Sequence, residues 1–245
     1  MMRERTFIEH LLASQPPSGE PVELDVGDDM AMLRVAEGRV LAAIDAVVEG
    51  RHVRPGTDPF AIGRKALLRN LSDVAAMAAR PLACLASATL PADCDETFAE
   101  RLLAGIRDAA ARYRCPLVGG DTSVHAQPDA PLTVSVAILA RPALAGGRVV
   151  GRRGAKVGDF VAVTGTLGGS LNPDGGGRHL DFEPRIEAAI ELATRLGADL
   201  HAMIDLSDGL GVDARHLVEM AEMAERVAIE IEAARLPCNP GVDWR

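Results

Sequence analysis

Cysteine is scarce and scattered in this chain, with Cys84, Cys94, Cys115 and Cys238 the only four. None forms a C-x-x-C pair and no histidine spacing completes a zinc set, so a zinc module or a disulfide framework is excluded and a reducing compartment is expected. Lysine is scarcer still: Lys65 and Lys156 are the only two, and the other cations are arginines, which reads as coding bias. No apolar run reaches membrane-spanning length, and the opening MMRERTFIEHLLAS is an amphipathic helix pattern with charges inside it, not a secretory leader. A net charge of −9 leaves no cationic excess for general nucleic-acid binding. The expectation is a cytoplasmic protein with neither membrane nor nucleic acid as partner. There is no G-x-x-x-x-G-K-[ST] loop, no protein-kinase motif set and no G-x-S-x-G elbow around Ser207. A hydrolase nucleophile at Ser207 is therefore not expected, and a nucleotide bound here would be held by another scheme. No repeat of solenoid period is found.

What is present is a chain of 245 residues, 48% apolar, long enough for one large or two modest domains. The periodicity predicts a first helix around Phe7–Leu12, strands over 30–35 and 40–45, and a helix over 59–77 with Asp58 as cap and Pro59 at its first position. A strand over 82–90, a helix over 95–112 and a clear strand over 132–140 follow. Residues 141–158, rich in Gly and Arg, read as a linker. Beyond it come a strand over 159–164, the turn Gly165-Thr166-Leu167-Gly168-Gly169, a turn over 172–177 and a helix over 184–196 stopped by Gly197. A strand over 202–206, a helix over 208–223 and a strand over 227–231 complete the pattern. The reading is two α/β-type domains, 1–147 and 148–245.

Aspartates recur where strands end and turns begin: Asp28 and Asp29 in VGDDMAML, Asp45 in AAIDAVVEG, Asp73 in NLSDVAAM, Asp121 in VGGDT, and Asp205 and Asp208 in MIDLSDGL. Taken singly, an aspartate at such a place is more often a cap or turn residue, and Asp58 and Asp95 are expected to be caps. Together they suit Mg²⁺, a hard cation that takes carboxylates plus substrate phosphates. Asp28-Asp29 is a like-charge pair that gains from a cation, and Gly209 beside Asp208 permits close approach of a ligand to the backbone. The 165–169 turn could cradle phosphate through backbone N–H groups. His52 alone carries little weight, and the Arg152, Arg153, Lys156 cluster reads as a solvated face able to meet phosphates.

Six stretches, GDDMAML, D-x-V-V-E-G-x-H at 45–52, KALLRNLSDVAAM, LVGGDT, RRGAKVGDFVAVTGTLGGS and MIDLSDGL, stand in the order found in the thiamine-monophosphate kinases. In them the chain resembles that family, within the superfamily shared with aminoimidazole ribonucleotide synthetase and selenophosphate synthetase. The resemblance implies an α+β fold, an α/β sandwich in two domains whose N-terminal sheet pairs with its twin in a homodimer and closes a barrel. It implies ATP and several Mg²⁺ ions between the domains, and transfer of the γ-phosphoryl of ATP to thiamine phosphate. By position, Asp29, Asp45, Asp73, Asp121, Asp205 and Asp208 match metal-binding carboxylates, with Asp28 the other half of the first pair. Gly120 matches a nucleotide-contacting glycine, shared with Asp121, and Arg152 and Ser207 match ATP contacts. His52 matches a residue that meets the thiamine phosphate.

The chain also departs from the family. Ala43 and Ile44 replace the usual Ser and Thr, Ala78 replaces a usual Gly, and SLNPDGGGRHLDFEPR follows Gly169 in place of a small-residue A-G-L helix. The family's acidic Gly-Glu-Asp segment does not follow VDWR, so the C-terminal domain is expected to be truncated. Two further readings compete with the kinase: a degenerate nucleotide-binding paralogue without turnover, and a sister ATP-dependent synthetase acting on another small molecule.

Overall fold

The computed structural model describes residues 20–24, 28–127, 129–221 and 228–240. It is an α+β structure built on one open sheet of six strands in the order β1-β2-β3-β6-β4-β5. The strands are β1 (Val22–Leu24), β2 (Ala31–Val35), β3 (Gly38–Val48), β4 (Ala79–Leu90), β5 (Leu117–Val124) and β6 (Thr133–Pro142). Only β4 and β5 run parallel, joined by the crossover helix that such a pair requires. The helices among the described residues are α1 (Pro59–Ala76), α2 (Glu96–Arg112), α3 (Ile186–Leu196) and α4 (Leu210–Glu219). None is long and apolar enough to cross a membrane.

Both long helices start as expected. The Asp58 carboxylate accepts the Phe60 N–H at 3.2 Å ahead of Pro59, and Asp95 accepts the Phe98 N–H at 2.7 Å. Helices α1 and α2 cross where glycines let their backbones touch: a Cβ on Gly63 would stand 2.1 Å from the Leu102 carbonyl oxygen, and one on Gly105 2.0 Å from that of Phe60. Their apolar stripes cover one face of the sheet. The core joins Leu67, Leu68, Leu71 and Val74 of α1 to Leu41 and Val47 of β3 and to Val134, Val136 and Ile138 of β6. Helix α3 reaches this core through Ile186. Among the described residues, no element covers the other face of the sheet. Ile44 is 71% exposed, and Leu85 and Leu139 stand exposed beside it through the register Ile44↔Ala137↔Leu85 and Ala42↔Leu139.

The expected linker is packed. Val150 is buried with Ala78 and Ala193, the Met203 N–H donates to the Gly151 carbonyl at 3.0 Å, and Gly154 lies so close to His201 that a Cβ would meet its carbonyl oxygen at 1.9 Å. Ala78, where the family usually has Gly, holds a left-handed backbone at φ 49°, a conformation that disfavours any Cβ by about 1 kcal/mol.

Three expected strands are corrected. Residues 159–164, 202–206 and 228–231 adopt no strand; Val227, like the first expected helix at 7–12, lies outside the described residues. The alternation in DFVAVT suits a strand, but no neighbour among the described residues supplies backbone partners, and Phe160 is wholly exposed. Helix α4 is shorter than expected: Gly209, at φ 114°, precedes its first residue in place of Asp208, and residues 222–223 lie outside the described residues.

Candidate active site

The aspartates are positioned by regular elements and by loops. Asp45 lies inside β3, Asp121 inside β5 and Asp73 in the last turn of α1, while Asp28, Asp29, Asp205 and Asp208 lie in loops. Asp73 and Asp208 cap no helix: Asp58 caps α1, and Gly209 precedes the first residue of α4.

Three of the carboxylates converge. Asp29, Asp73 and Asp205 each bring an oxygen within 4.8 Å of the others. The Asp205 carboxylate also accepts the Ser72 hydroxyl at 2.9 Å, which ties the 205 loop to α1. Burial pushes Asp29 up to about 7; Arg152 opposes the shift, and the charges of Asp205 and Asp28 add to it. Burial, then the charges of Asp205, Asp45 and Asp29, push Asp73 up to about 9. Such carboxylates without a matching cation resist ionisation, and a hard divalent ion would reverse that. An all-oxygen donor set fits Mg²⁺ and offers nothing to a soft metal.

Arg152 is the one guanidinium that reaches this trio among the described residues. Its Nε donates to Asp29 Oδ2 at 3.1 Å and its Nη2 to Oδ1, a two-point pair with a fully buried carboxylate. The Asp28 carboxylate accepts the Arg152 N–H at 3.3 Å, across a glycine whose Cβ would stand 2.5 Å from Asp28 Oδ2. Asp28 thus positions the segment that carries Arg152. Arg152 is not the solvated cation that its cluster suggested.

The other expected residues are spread around this centre. Asp45 accepts two bonds from Arg69 of α1, at 2.9 and 3.1 Å. Asp121 is exposed, and the register Asp121↔Ser87↔Ser135 puts it on the open face of the sheet, whereas Asp45 and Gly120 share the covered face through Val136 and Ala86. Within one chain Asp121 is therefore not brought to the trio. Gly120 has no room for a side chain: a Cβ would stand 1.8 Å from the Ala86 carbonyl oxygen. The Ser207 and Asp208 N–H groups, with that of Gly209, all donate to the buried Asp213 carboxylate at 2.9 to 3.1 Å.

His52 sits in the turn after β3. Its Nδ1 accepts the Val48 N–H at 3.0 Å, which leaves the proton on Nε2 as a donor. Burial, then the charges of Arg69, Lys65 and Arg51, hold its pKa below the usual histidine value, so the ring is neutral at pH 7. The 165–169 turn, a candidate phosphate cradle, gives its Leu167 N–H to the Pro237 carbonyl at 2.7 Å, and that group is spent on the fold.

Sequence reading missed Ser72, Arg69, Asp213, Lys65 and His179. Arg69 could have been found four residues before Asp73 on one helix face, and Ser72 three residues after Arg69. Asp213 carried a weaker signal, an acid in the first turn of a helix.

The family described as AIR synthase related protein, N-terminal domain, matches residues 27–141. The chain is 36% identical to thiamine-monophosphate kinase of Rhodopirellula baltica, over 89% of this chain and 66% of that protein. It is 33% identical to that of Aquifex aeolicus, over 87% of this chain and 70% of the relative. The fold is similar to the solved structure of AaThiL complexed with AMPPCP and TMP, with a TM-score of 0.73 and 29% identity over 90% of this chain and 72% of that one. The chain thus spans about two thirds of the length of the curated relatives it matches.

Proposed function

We propose that this chain, which belongs to the thiamine-monophosphate kinase family, transfers the γ-phosphoryl group of ATP to thiamine phosphate and yields thiamine diphosphate and ADP. The observation that carries the reading is the convergence of Asp29, Asp73 and Asp205 beside Arg152. A phosphate oxygen of the acceptor attacks the γ-phosphorus in line, one P–O bond forms as the bond to the β–γ bridging oxygen breaks, and ADP leaves. No protein nucleophile is needed, in keeping with the absence of a nucleophile motif in the sequence.

Mg²⁺ held by Asp29, Asp73 and Asp205 would supply charge neutralisation for the phosphate oxygens. Asp28 and Asp45 are assigned as further metal ligands on the strength of motif position; the Asp28 carboxylate also holds the segment that carries Arg152, and Asp45 also pairs with Arg69. Arg152, Gly120, Asp121 and Ser207 are assigned to the nucleotide, with Asp121 and Asp208 as further metal ligands, on the strength of motif position. His52 offers Nε2–H to the acceptor phosphate. The solved structure in complex with AMPPCP and TMP, to which this fold is similar, supports both substrates.

The same reading divides the chain near residue 147 and pairs the open sheet face with that of a second copy in a barrel. The exposed Ile44, Leu85 and Leu139 on that face support the pairing. Free thiols at all four cysteines suit a reducing, cytoplasmic setting.

ADP release coupled to a dye-linked assay, with ATP, Mg²⁺ and thiamine phosphate, tests the proposal. Turnover that requires all three supports it. Release without regard to thiamine phosphate points to another acceptor, and calorimetric binding of an ATP analogue without turnover points to a degenerate paralogue.

A further inference from the structure

Lys65 is one of two lysines in the chain, and it is buried on α1 with 8% of its surface exposed. Its ammonium meets no carboxylate among the described residues. It donates instead to two neutral acceptors, the His52 carbonyl at 2.7 Å and His179 Nδ1 at 2.8 Å. Burial, with the nearby charge of Arg69, lowers its pKa to about 8, so it remains a cation at pH 7. Holding a buried cation on two neutral groups is unfavourable unless the geometry it fixes is needed.

That geometry joins two segments far apart in the chain. His179 accepts at Nδ1, so its Nε2–H donates to the Gly175 carbonyl at 3.0 Å. Arg54, two residues from His52, donates from Nη1 to the Pro173 carbonyl at 2.8 Å. Its side chain also fills the space beside Gly175, where a Cβ would meet Arg54 Cδ at 2.4 Å. The 172–180 segment is thus pinned to the His52 turn at three places. It is also the stretch where this chain departs from its family's A-G-L helix. His52 itself is fixed at both ends, its ring by the Val48 N–H and its carbonyl by Lys65.

We infer that Lys65 is a positioning residue: by joining the His52 carbonyl to the ring of His179, it lets the 172–180 segment set the direction in which His52 presents Nε2–H to the acceptor. The inference rests on the acceptor role proposed for His52. It predicts that loosening the 172–180 segment weakens the acceptor and spares the nucleotide, since neither Lys65 nor His179 touches the aspartate trio or Arg152.

Hydrogen exchange by mass spectrometry on the unliganded full chain, paired with KM values for both substrates, tests it in Lys65→Met and His179→Ala. Loss of one charge-assisted hydrogen bond is expected to speed amide exchange about tenfold in 48–53 and 172–180 together, and to raise KM for thiamine phosphate about tenfold. KM for ATP should stay within about twofold of the wild-type value. In Lys65→Met the His52 ring, followed by NMR, should titrate at higher pH, because one of the cations facing it (Arg69, Arg51 and Lys65, against Asp45) is gone. Unchanged exchange in 48–53 in both variants, or an equal rise of both KM values, overturns the inference. Exchange and the His52 titration need no substrate. A wild-type chain that fails to phosphorylate thiamine phosphate therefore counts against the kinase reading alone.

Discussion

The sheet-and-helix region over 28–142 and the region over 150–240 carry comparable apolar patterns and end in different states. In the first, every long strand finds a neighbour, α1 and α2 close over one face, and Leu67, Leu68, Val134 and Ile138 lose all contact with water. In the second, DFVAVT and the stretch before DLSD have strand-like patterns and form no strand ladder among the described residues, while Phe160 is wholly exposed. A strand is a relation between two segments, because its backbone groups need partners that periodicity in one segment cannot provide. Short links tie the second region to the first at the candidate site: Ser72 to Asp205, Arg152 to Asp29 and Lys65 to His179.

This contrast can be broken by substitution. Leu67→Ala in the closed core should destabilise by about 2–5 kcal/mol, read by denaturant unfolding. A value under about 1 kcal/mol would show that the core is looser than its burial implies.

A smaller effect is expected at the trio. Burial raises the Asp73 carboxyl from the ordinary 3.8 to about 9 and that of Asp29 to about 7. Between those limits the metal-free native state binds more protons than the unfolded chain, so its stability falls as pH rises from about 4 to 9. Asp73→Asn should therefore raise Tm by several degrees in EDTA at pH 8, at about 2–4 °C per kcal/mol. It should also lose most of the rise that Mg²⁺ gives the wild type. A variant as responsive to Mg²⁺ as the wild type would remove Asp73 from the site.

The open face is tested by Ile44→Asp, expected to turn a dimer into a monomer by light scattering at micromolar concentration. A wild-type monomer would contradict the paired-sheet proposal. The smallest change is expected at Phe160→Ser, within about 0.5 kcal/mol of wild type, since that ring touches no core.

The legible part of the molecule was the part with local causes. Asp58 and Asp95 caps, the Pro59 start, the Gly197 stop and the run LTVSVAILA all lie where the pattern puts them. The site was legible as a set of aspartates but not as an arrangement. Nothing local shows that Asp29, Asp73 and Asp205 meet while Asp121 faces the other side of the sheet, because strand register decides it. Lys65 was hidden for a similar reason. A lone lysine in an arginine-rich chain looks like bias until its two acceptors, 13 and 114 residues away, are seen.

The most direct test of the central claim is the rate of ADP release with ATP, Mg²⁺ and thiamine phosphate, measured for the wild-type chain and for Asp29→Asn. Turnover in the wild type that requires all three components is expected, with a fall of about a hundredfold in the variant, the scale of losing one preorganised charged group. No release by the wild type, or equal rates for the two proteins, would contradict it.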